Sequence, residues 1–202
     1  MLLIEHRVNT VEHLRRVPPW CGVEVDIREA GGTLCLAHDP FGAGERLEDW
    51  LKVYQHALIV FNVKCDGLEE PILKLIEKFR ISEFFFLDVA YPTLVRLVRR
   101  GIRQVAVRYS EVEPMELALA FKGKVNWVWV DCFTHVPLNK GSYQQLHEWF
   151  KICVVSPELQ RHPRPMIQAL RRELDGMAVD AVCTNLREEW VGNGIKAPAG
   201  GG

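Results

Sequence analysis

The chain has 202 residues, of which 48 % are hydrophobic and 25 % are charged, and its formal net charge is −1. This composition is typical of a globular protein, and the near-neutral charge without a basic block argues against a nucleic-acid partner or an electrostatic membrane surface. Residues 2–4 are too short for a signal peptide and no stretch approaches the roughly 20 apolar residues of a transmembrane segment, so we expect a cytoplasmic location.

The chain begins with the apolar run "LLIE", which predicts a buried strand that ends at His6 and Arg7. Asn9 and Glu12 follow with the N-x-x-E spacing of a helix capping box. A histidine and an arginine at this point either end the strand without a chemical role or are placed for a reaction. The choice depends on whether other strands end in the same way.

The second predicted strand, "GVEVDI", carries Glu24 and Asp26. Residues two apart on a strand project to the same face, so both carboxylates converge. Two convergent carboxylates repel each other unless positive charge lies between them, and a hard divalent cation supplies it well. This strand therefore predicts a metal site.

Two glycines, Gly31 and Gly32, then predict a tight turn, after which "TLCLAHD" returns as a short extended arm. The arm carries His38 and Asp39 back toward His6. Two histidines beside a bound anion are what acid–base cleavage of a phosphodiester requires, since one removes a proton and the other donates one.

The next strand, "ALIVFNVK", repeats the same spacing with Asn62 and Lys64. The amide oxygen of Asn62 is predicted as a third ligand of the cation. The ammonium group of Lys64 suits an anionic substrate.

Five further apolar runs alternate with amphipathic helical patterns over the rest of the chain: "EFFFLDV", "QVAVRY", "VNWVWVD", "KICVVS" and "DAVCTN". Eight strands with intervening helices predict an α/β fold, namely a single compact (β/α)₈ TIM barrel with its active site at the C-terminal ends of the strands; an open doubly wound sheet is the alternative. We predict one domain over residues 1–192 and a disordered or cloning-derived tail at 193–202.

Asp131 ends the strand "VNWVWVD", and Trp129 shares its face. Both are predicted to contact the substrate, although Trp129 fits a barrel-filling role equally well.

The ordered motifs "HR", "NT", "EVD", "HD" and "NVK", with the closing "DAVCTN", resemble the glycerophosphodiester phosphodiesterase and phosphatidylinositol-phospholipase C-like superfamily of TIM barrels. The motifs match over the first third of the chain. The resemblance implies that Glu24 and Asp26 bind a divalent cation, Mg²⁺ or Ca²⁺, with Asn62 where the family has an acidic ligand. One less negative charge should weaken the binding of metal.

The resemblance also implies roles in catalysis. His6 and His38 would act as acid and base, and Arg7 and Lys64 would hold the phosphate of a small-molecule phosphodiester. In the family an internal hydroxyl of the substrate attacks phosphorus and gives a cyclic phosphate, which some members hydrolyse.

Two departures from the family pattern leave other functions open. Val8 replaces the glycine of the family's HRG motif, as in sphingomyelinase D-like relatives, which favours a lyase that stops at the cyclic phosphate. Asn62 favours a catalytically weak barrel that binds a phosphorylated sugar or a lipid headgroup. The stretches "HRVNT" and "VNWVWVDCF" are similar to stretches of proteins associated with bacterial polysaccharide biosynthesis. The sequence does not indicate an oligomeric state.

Overall fold

A computed structural model of the chain describes residues 1–42 and 44–191, so the predicted tail at 193–202 lies outside the described residues. The chain forms two compact units. Residues 5–105 make up the N-terminal unit, and residues 1–4 together with residues 106–191 make up the C-terminal unit.

Strands and helices alternate through the N-terminal unit, as the sequence pattern predicts, except for three consecutive strands between its first two helices. Strand β1 (Leu2–Glu5) opens the chain. The elements that follow it up to residue 105 are α1 (Val11–Leu14), β2 (Gly22–Ala30), β3 (Thr33–Leu36), β4 (Glu45–Arg46), α2 (Leu47–Leu51), β5 (Leu58–Val63), α3 (Glu69–Phe79), β6 (Phe84–Leu87) and α4 (Tyr91–Arg99).

The strands of the N-terminal unit lie in the order β4-β3-β2-β5-β6. β5 is parallel to both β2 and β6, and all six of its residues are buried, as expected for a strand covered on both faces. β3 returns antiparallel to β2 through Gly31 and Gly32, whose φ angles of +59° and +79° favour glycine. The parallel register places Asp26 beside Asn62, so these two predicted site residues share one end of the sheet.

The start of α1 differs from the sequence prediction. Thr10, not Asn9, is the N-cap: its backbone is extended and its hydroxyl accepts a hydrogen bond from the His13 amide at 3.1 Å. Asn9 instead contacts Asp26, to whose buried carboxylate its Nδ2 donates and whose backbone N–H its Oδ1 accepts. The predicted capping box of Asn9 and Glu12 is therefore wrong.

The C-terminal unit has the same alternation. Its elements after residue 105 are β7 (Ala106–Tyr109), α5 (Met115–Leu119), β8 (Trp127–Val130), α6 (Lys140–His147), β9 (Lys151–Val155), α7 (Pro165–Glu173) and β10 (Ala181–Thr184), with short 3₁₀ turns at Pro157–Gln160 and Arg187–Glu189. Its strands lie in the order β1-β10-β9-β8-β7, and the pairs from β7 to β10 are parallel.

All eight predicted strands are present, and the parallel pairing confirms the α/β class. Among the described residues, no helix is long and apolar enough to cross a bilayer.

Candidate active site

Two carboxylates, Glu24 and Asp26, lie side by side on β2 and have no solvent exposure. The oxygens of Glu24 accept hydrogen bonds from the backbone N–H of Arg7 at 2.7 Å and from Nδ2 of Asn62 at 2.8 Å. Burial raises the pKa of Glu24 above its usual 4.5, and the negative charge of Asp26 raises it further, despite these hydrogen bonds. Burial and the neighbouring carboxylate therefore disfavour the ionised form of Glu24.

Asn9 holds Asp26 from two sides. Its Nδ2 donates to Asp26 Oδ2 at 2.8 Å, and its Oδ1 accepts the backbone N–H of Asp26 at 2.9 Å. This paired contact fixes both the strand and the orientation of the carboxylate.

Two buried oxygens in this cluster point to a cation. Within residues 1–42 and 44–191, Asp26 Oδ1 and Asn62 Oδ1 find no hydrogen-bond donor. Lys64 Nζ lies 3.2 Å from Asp26 Oδ1 and 3.6 Å from Asp88 Oδ2, which makes ion pairs without an aligned hydrogen bond to Asp26. Buried acceptors without donors are costly, and carboxylate and amide oxygens are the ligands that Mg²⁺ and Ca²⁺ take.

Glu24, Asp26 and Asn62 therefore fit a hard divalent cation by their chemistry. The set contains two carboxylates and one amide, and the described part of the chain holds no group of three or more His, Cys, Asp or Glu side chains arranged for a metal. An ion at this place would have to be shared with other ligands, such as a substrate phosphate or water.

Arg7 joins the carboxylates to the arm. Its φ angle is +55°, a left-handed conformation that is strained for a residue with a side chain and that often marks a functional site. This turn directs its N–H to Glu24, and its side chain places Nε 4.0 Å from Asp26 Oδ2.

The imidazole of His38 lies between two charged partners. Nη2 of Arg7 is 2.6 Å from Nε2, and Oδ1 of Asp39 is 2.8 Å from Nδ1. A guanidinium can only donate, so Nε2 is the acceptor and Nδ1 carries the proton that it donates to Asp39. That hydrogen bond lowers the pKa of Asp39, and the ring itself remains 40 % exposed.

His6 has a more enclosed environment. The pKa of His6 is lowered from 6.5 to about 4, mainly by burial and secondly by the positive charge of Arg7. Its ring is therefore neutral at pH 7. Its Nδ1 is buried and has no partner among the described residues. Arg7 is the chain neighbour of His6 and the hydrogen-bond partner of His38, so it links the two histidines. The structure thus brings both histidines, Arg7 and Lys64 to the carboxylate pair.

Arg28 was not identified from the sequence. Its Nε and Nη2 donate to the backbone carbonyl of His38 at 3.1 and 2.9 Å. Arg28 follows Glu24 and Asp26 at the next alternate position of β2, and this spacing is the signal that would have found it. Asn9 was assigned to a cap, a role that left a place in the site open, and the structure places it against Asp26.

Asp131 and Trp129 lie in the C-terminal unit, both buried at the end of β8. The oxygens of Asp131 accept hydrogen bonds from Arg108 at 2.6 Å, from Gln160 at 2.7 Å and from the Cys132 amide at 2.9 Å. These donors give Asp131 a role in holding the strand end. A substrate contact for Asp131 or Trp129 stays a prediction.

No family model and no curated protein matches the chain, but solved structures do. A glycerophosphoryl diester phosphodiesterase from Parabacteroides distasonis ATCC 8503 matches with a TM-score of 0.63 at 12 % identity, over 91 % of this chain and 82 % of its own. A glycerophosphodiester phosphodiesterase from Agrobacterium tumefaciens str. C58 matches with a TM-score of 0.61 at 14 % identity, over 91 % and 94 %. The chain has the TIM-barrel fold of the glycerophosphodiester phosphodiesterases.

The predicted resemblance to the glycerophosphodiester phosphodiesterases and the predicted barrel class are thus confirmed at the level of the fold. A mutant tryptophan synthase alpha-subunit from Pyrococcus furiosus also matches, with a TM-score of 0.57 at 13 % identity, over 93 % of this chain and 88 % of its own. Because the tryptophan synthase alpha-subunit and the phosphodiesterases share this fold, the fold alone does not assign the activity. The assignment has to come from the side chains.

Proposed function

We propose that the protein is a metal-dependent phosphodiesterase of the glycerophosphodiester phosphodiesterase type, acting on a small-molecule phosphodiester. One observation carries the proposal: two fully buried carboxylates, Glu24 and Asp26, converge beside acceptor oxygens that lack donors in the described residues. An arginine, a lysine and two histidines surround the same carboxylates. The carboxylate and amide oxygens suit a hard cation, and the arginine and the lysine suit the phosphate of a substrate.

In this proposal Glu24, Asp26 and Asn62 hold Mg²⁺ or Ca²⁺. When bound, the cation supplies positive charge that offsets the charge developing on the phosphate oxygens. Arg7 and Lys64 bind the same phosphate. Lys64 is suited to this because its side chain is 17 % exposed and its ammonium already lies 3.2 Å from Asp26 Oδ1.

The two histidines move the protons. His6 is the base, because burial keeps it neutral with a free lone pair, and it removes the proton of the attacking hydroxyl as the new O–P bond forms. His38 is the acid, and its Nε2 protonates the leaving oxygen as the old P–O bond breaks, which gives a cyclic phosphate. Arg7 turns from His38 to the phosphate and so frees Nε2 to carry that proton, while Asp39 stabilises the imidazolium through Nδ1. Water then opens the cyclic phosphate with the roles reversed: His38 takes a proton from the attacking water, and His6 returns one to the substrate oxygen as its bond to phosphorus breaks.

A second candidate is a barrel that binds a phosphorylated sugar or a lipid headgroup with little turnover. The contact between Lys64 and Asp26 favours it, because an ammonium 3.2 Å from Asp26 Oδ1 competes with a metal for the same oxygen.

The test is a panel of phosphodiesters incubated with Mg²⁺, with Ca²⁺ and with EDTA, with products followed by phosphorus NMR. A phosphomonoester formed only with metal supports the hydrolase. A cyclic phosphate that persists identifies the lyase instead, and saturable binding without products identifies the binding protein.

Matched variants then test the assignment of residues. We expect His6→Ala and His38→Ala to lower kcat by about 10²- to 10⁴-fold, the usual contribution of one acid or base. His135→Ala is the control, because His135 is an exposed histidine of the C-terminal unit. Turnover by both site variants at the rate of the His135→Ala protein would disprove the acid–base roles.

A further inference from the structure

The arm that carries His38 has little backbone support at the histidine itself. β3 pairs with β2 from Thr33 to Leu36, and one further backbone hydrogen bond joins the Ala37 amide to the Asp26 carbonyl at 3.0 Å. His38 lies beyond this ladder, and its side chain is 40 % exposed. Its position therefore depends on side-chain contacts.

Arg28 supplies such a contact to the backbone of His38. Two of its nitrogens, Nε and Nη2, donate to the same carbonyl oxygen, and the third, Nη1, lies 3.7 Å from Sγ of Cys65 on the chain after β5. All three nitrogens of the guanidinium are thus directed at the protein and not at a ligand. The planar group spans from β2 to the arm on one side and to the chain after β5 on the other.

We propose that Arg28 is a positioning residue that sets where the imidazole of His38 lies relative to Arg7. The ring of His38 is held by Arg7 and Asp39, and both contacts are at 2.8 Å or less. Both contacts of the ring require a fixed position of the His38 backbone, and Arg28 fixes that position through the His38 carbonyl. This inference rests on the proposed function, in which His38 donates a proton, since a shift of about 1 Å in a reacting group lowers a rate by about 10²-fold.

The arm offers a matched control. Arg46 on β4 and Arg28 on β2 both lie opposite Cys35, on the two sides of β3. Arg46 is exposed and faces Glu48 and Asp49 at 3.7 and 3.9 Å. Arg46→Ala therefore removes an arginine that flanks the same arm without removing a contact described for His38.

The first measurement needs no activity. In the free protein, nitrogen NMR of the histidine rings reports the His38 tautomer, with the signal assigned by its loss in His38→Gln. We expect Arg28→Ala to change the His38 ring signals from a single Nδ1–H tautomer to a mixture, and Arg46→Ala to leave them as in the parent. Unchanged signals in a folded Arg28→Ala protein would overturn the inference, whether or not the protein is a phosphodiesterase.

The second measurement separates positioning from simple stabilisation of the arm. With a phosphodiester that the parent cleaves, Arg28→Ala should lower kcat by about 10- to 100-fold and change KM by less than about threefold, because substrate is held elsewhere. Lysine has one donor group in place of the forked guanidinium, so the kcat of Arg28→Lys should lie between those of the parent and Arg28→Ala. Millimolar guanidinium should restore much of the kcat of Arg28→Ala and none of that of His38→Gln.

The outcomes are distinct. If the parent cleaves no phosphodiester, the proposed function fails while the ring signals still decide the link between Arg28 and His38. If Arg28→Ala and Arg46→Ala lose kcat equally, or if guanidinium rescues neither kcat nor the ring signals, Arg28 only stabilises the arm and the inference is wrong.

Discussion

Nη2 of Arg7 lies 2.6 Å from Nε2 of His38, so a group that can only donate faces a ring nitrogen that must accept. The other ring nitrogen then carries the proton toward Asp39. Arg7, which is proposed to bind the phosphate, thus also determines which ring nitrogen of His38 carries the proton. His38 is the residue proposed to protonate the leaving group.

The first prediction concerns this contact. At pH 8 the neutral His38 ring should show one tautomer, with the proton on Nδ1, in nitrogen NMR of the ligand-free protein. Arg7→Gln should give a mixture, because an amide can accept as well as donate. Inorganic phosphate should have the same effect on the parent if Arg7 turns to the anion. A His38 ring that is protonated on Nε2 in the ligand-free parent would contradict the geometry.

The second prediction concerns the candidate ligand Asn62. In Asn62→Asp the third ligand becomes a carboxylate, and we expect Mg²⁺ or Ca²⁺ to bind about tenfold more tightly by titration calorimetry, since affinity rises with ligand charge. Without metal the variant should melt at a lower temperature than the parent, because Glu24 loses the hydrogen bond from Nδ2 and gains a like charge. Added cation should reverse that loss.

The control for this prediction is Asn139→Asp. Asn139 caps α6 in the C-terminal unit, and aspartate is an equally good cap, so its melting temperature should not depend on the cation. A cation that raises the melting temperature of Asn62→Asp no more than that of Asn139→Asp would remove Asn62 from the ligand set.

The third prediction tests the corrected start of α1. Asn9→Ala should lower the free energy of unfolding by about 2–3 kcal/mol in urea titrations, because it removes two hydrogen bonds to Asp26, one of them to an ionised oxygen. Glu12→Ala should change it by less than about 0.5 kcal/mol, since Glu12 contacts only Arg16 on the surface among the contacts described for it. Equal losses in the two variants would restore the capping box.

The fourth prediction concerns pH. Partial desolvation alone would raise the pKa of Glu111, but hydrogen bonds from its own amide, from the hydroxyl and amide of Thr134 and from the His135 amide lower it from 4.5 to about 2. The unfolded chain binds the proton more readily, so this carboxylate stabilises the fold fully above about pH 4.5 and loses that contribution as the pH falls toward 2.

Glu111→Gln tests the sign. The parent should be more stable than the variant at pH 6, and the difference should shrink steadily between pH 5 and pH 3 in urea titrations. The stability difference between the parent and Thr134→Ala should also shrink as the pH falls, but by a smaller amount. A difference that grows as the pH falls would mean that the pKa of Glu111 is raised and not lowered.

Much of the fold follows from local sequence patterns. The eight strands could be predicted because each is a short apolar run with charged or turn residues on either side, and the helices because their apolar residues repeat on one face. The convergence of Glu24 and Asp26 followed from strand alternation alone. β4 could not be predicted, because its two residues are polar and exposed and pair only through the backbone.

The details of the site depended on contacts that the sequence does not encode locally. Asn9 fitted two roles, and only the nearby buried carboxylate of Asp26 decided between them. The reach of Arg28 to a carbonyl ten residues away requires the turn at Gly31 and Gly32 to place the arm. The roles of the site residues and the metal remain predictions that the experiments above address, and the cytoplasmic location also remains a prediction.

The left-handed backbone of Arg7 has a consequence for protein engineering. The N–H that contacts Glu24 belongs to the peptide, whereas the guanidinium belongs to the side chain, so glycine at this position would keep the first and relieve about 1 kcal/mol of torsional strain. Selection for thermal tolerance alone would therefore favour glycine here, at the cost of the guanidinium that the proposed function assigns to the phosphate.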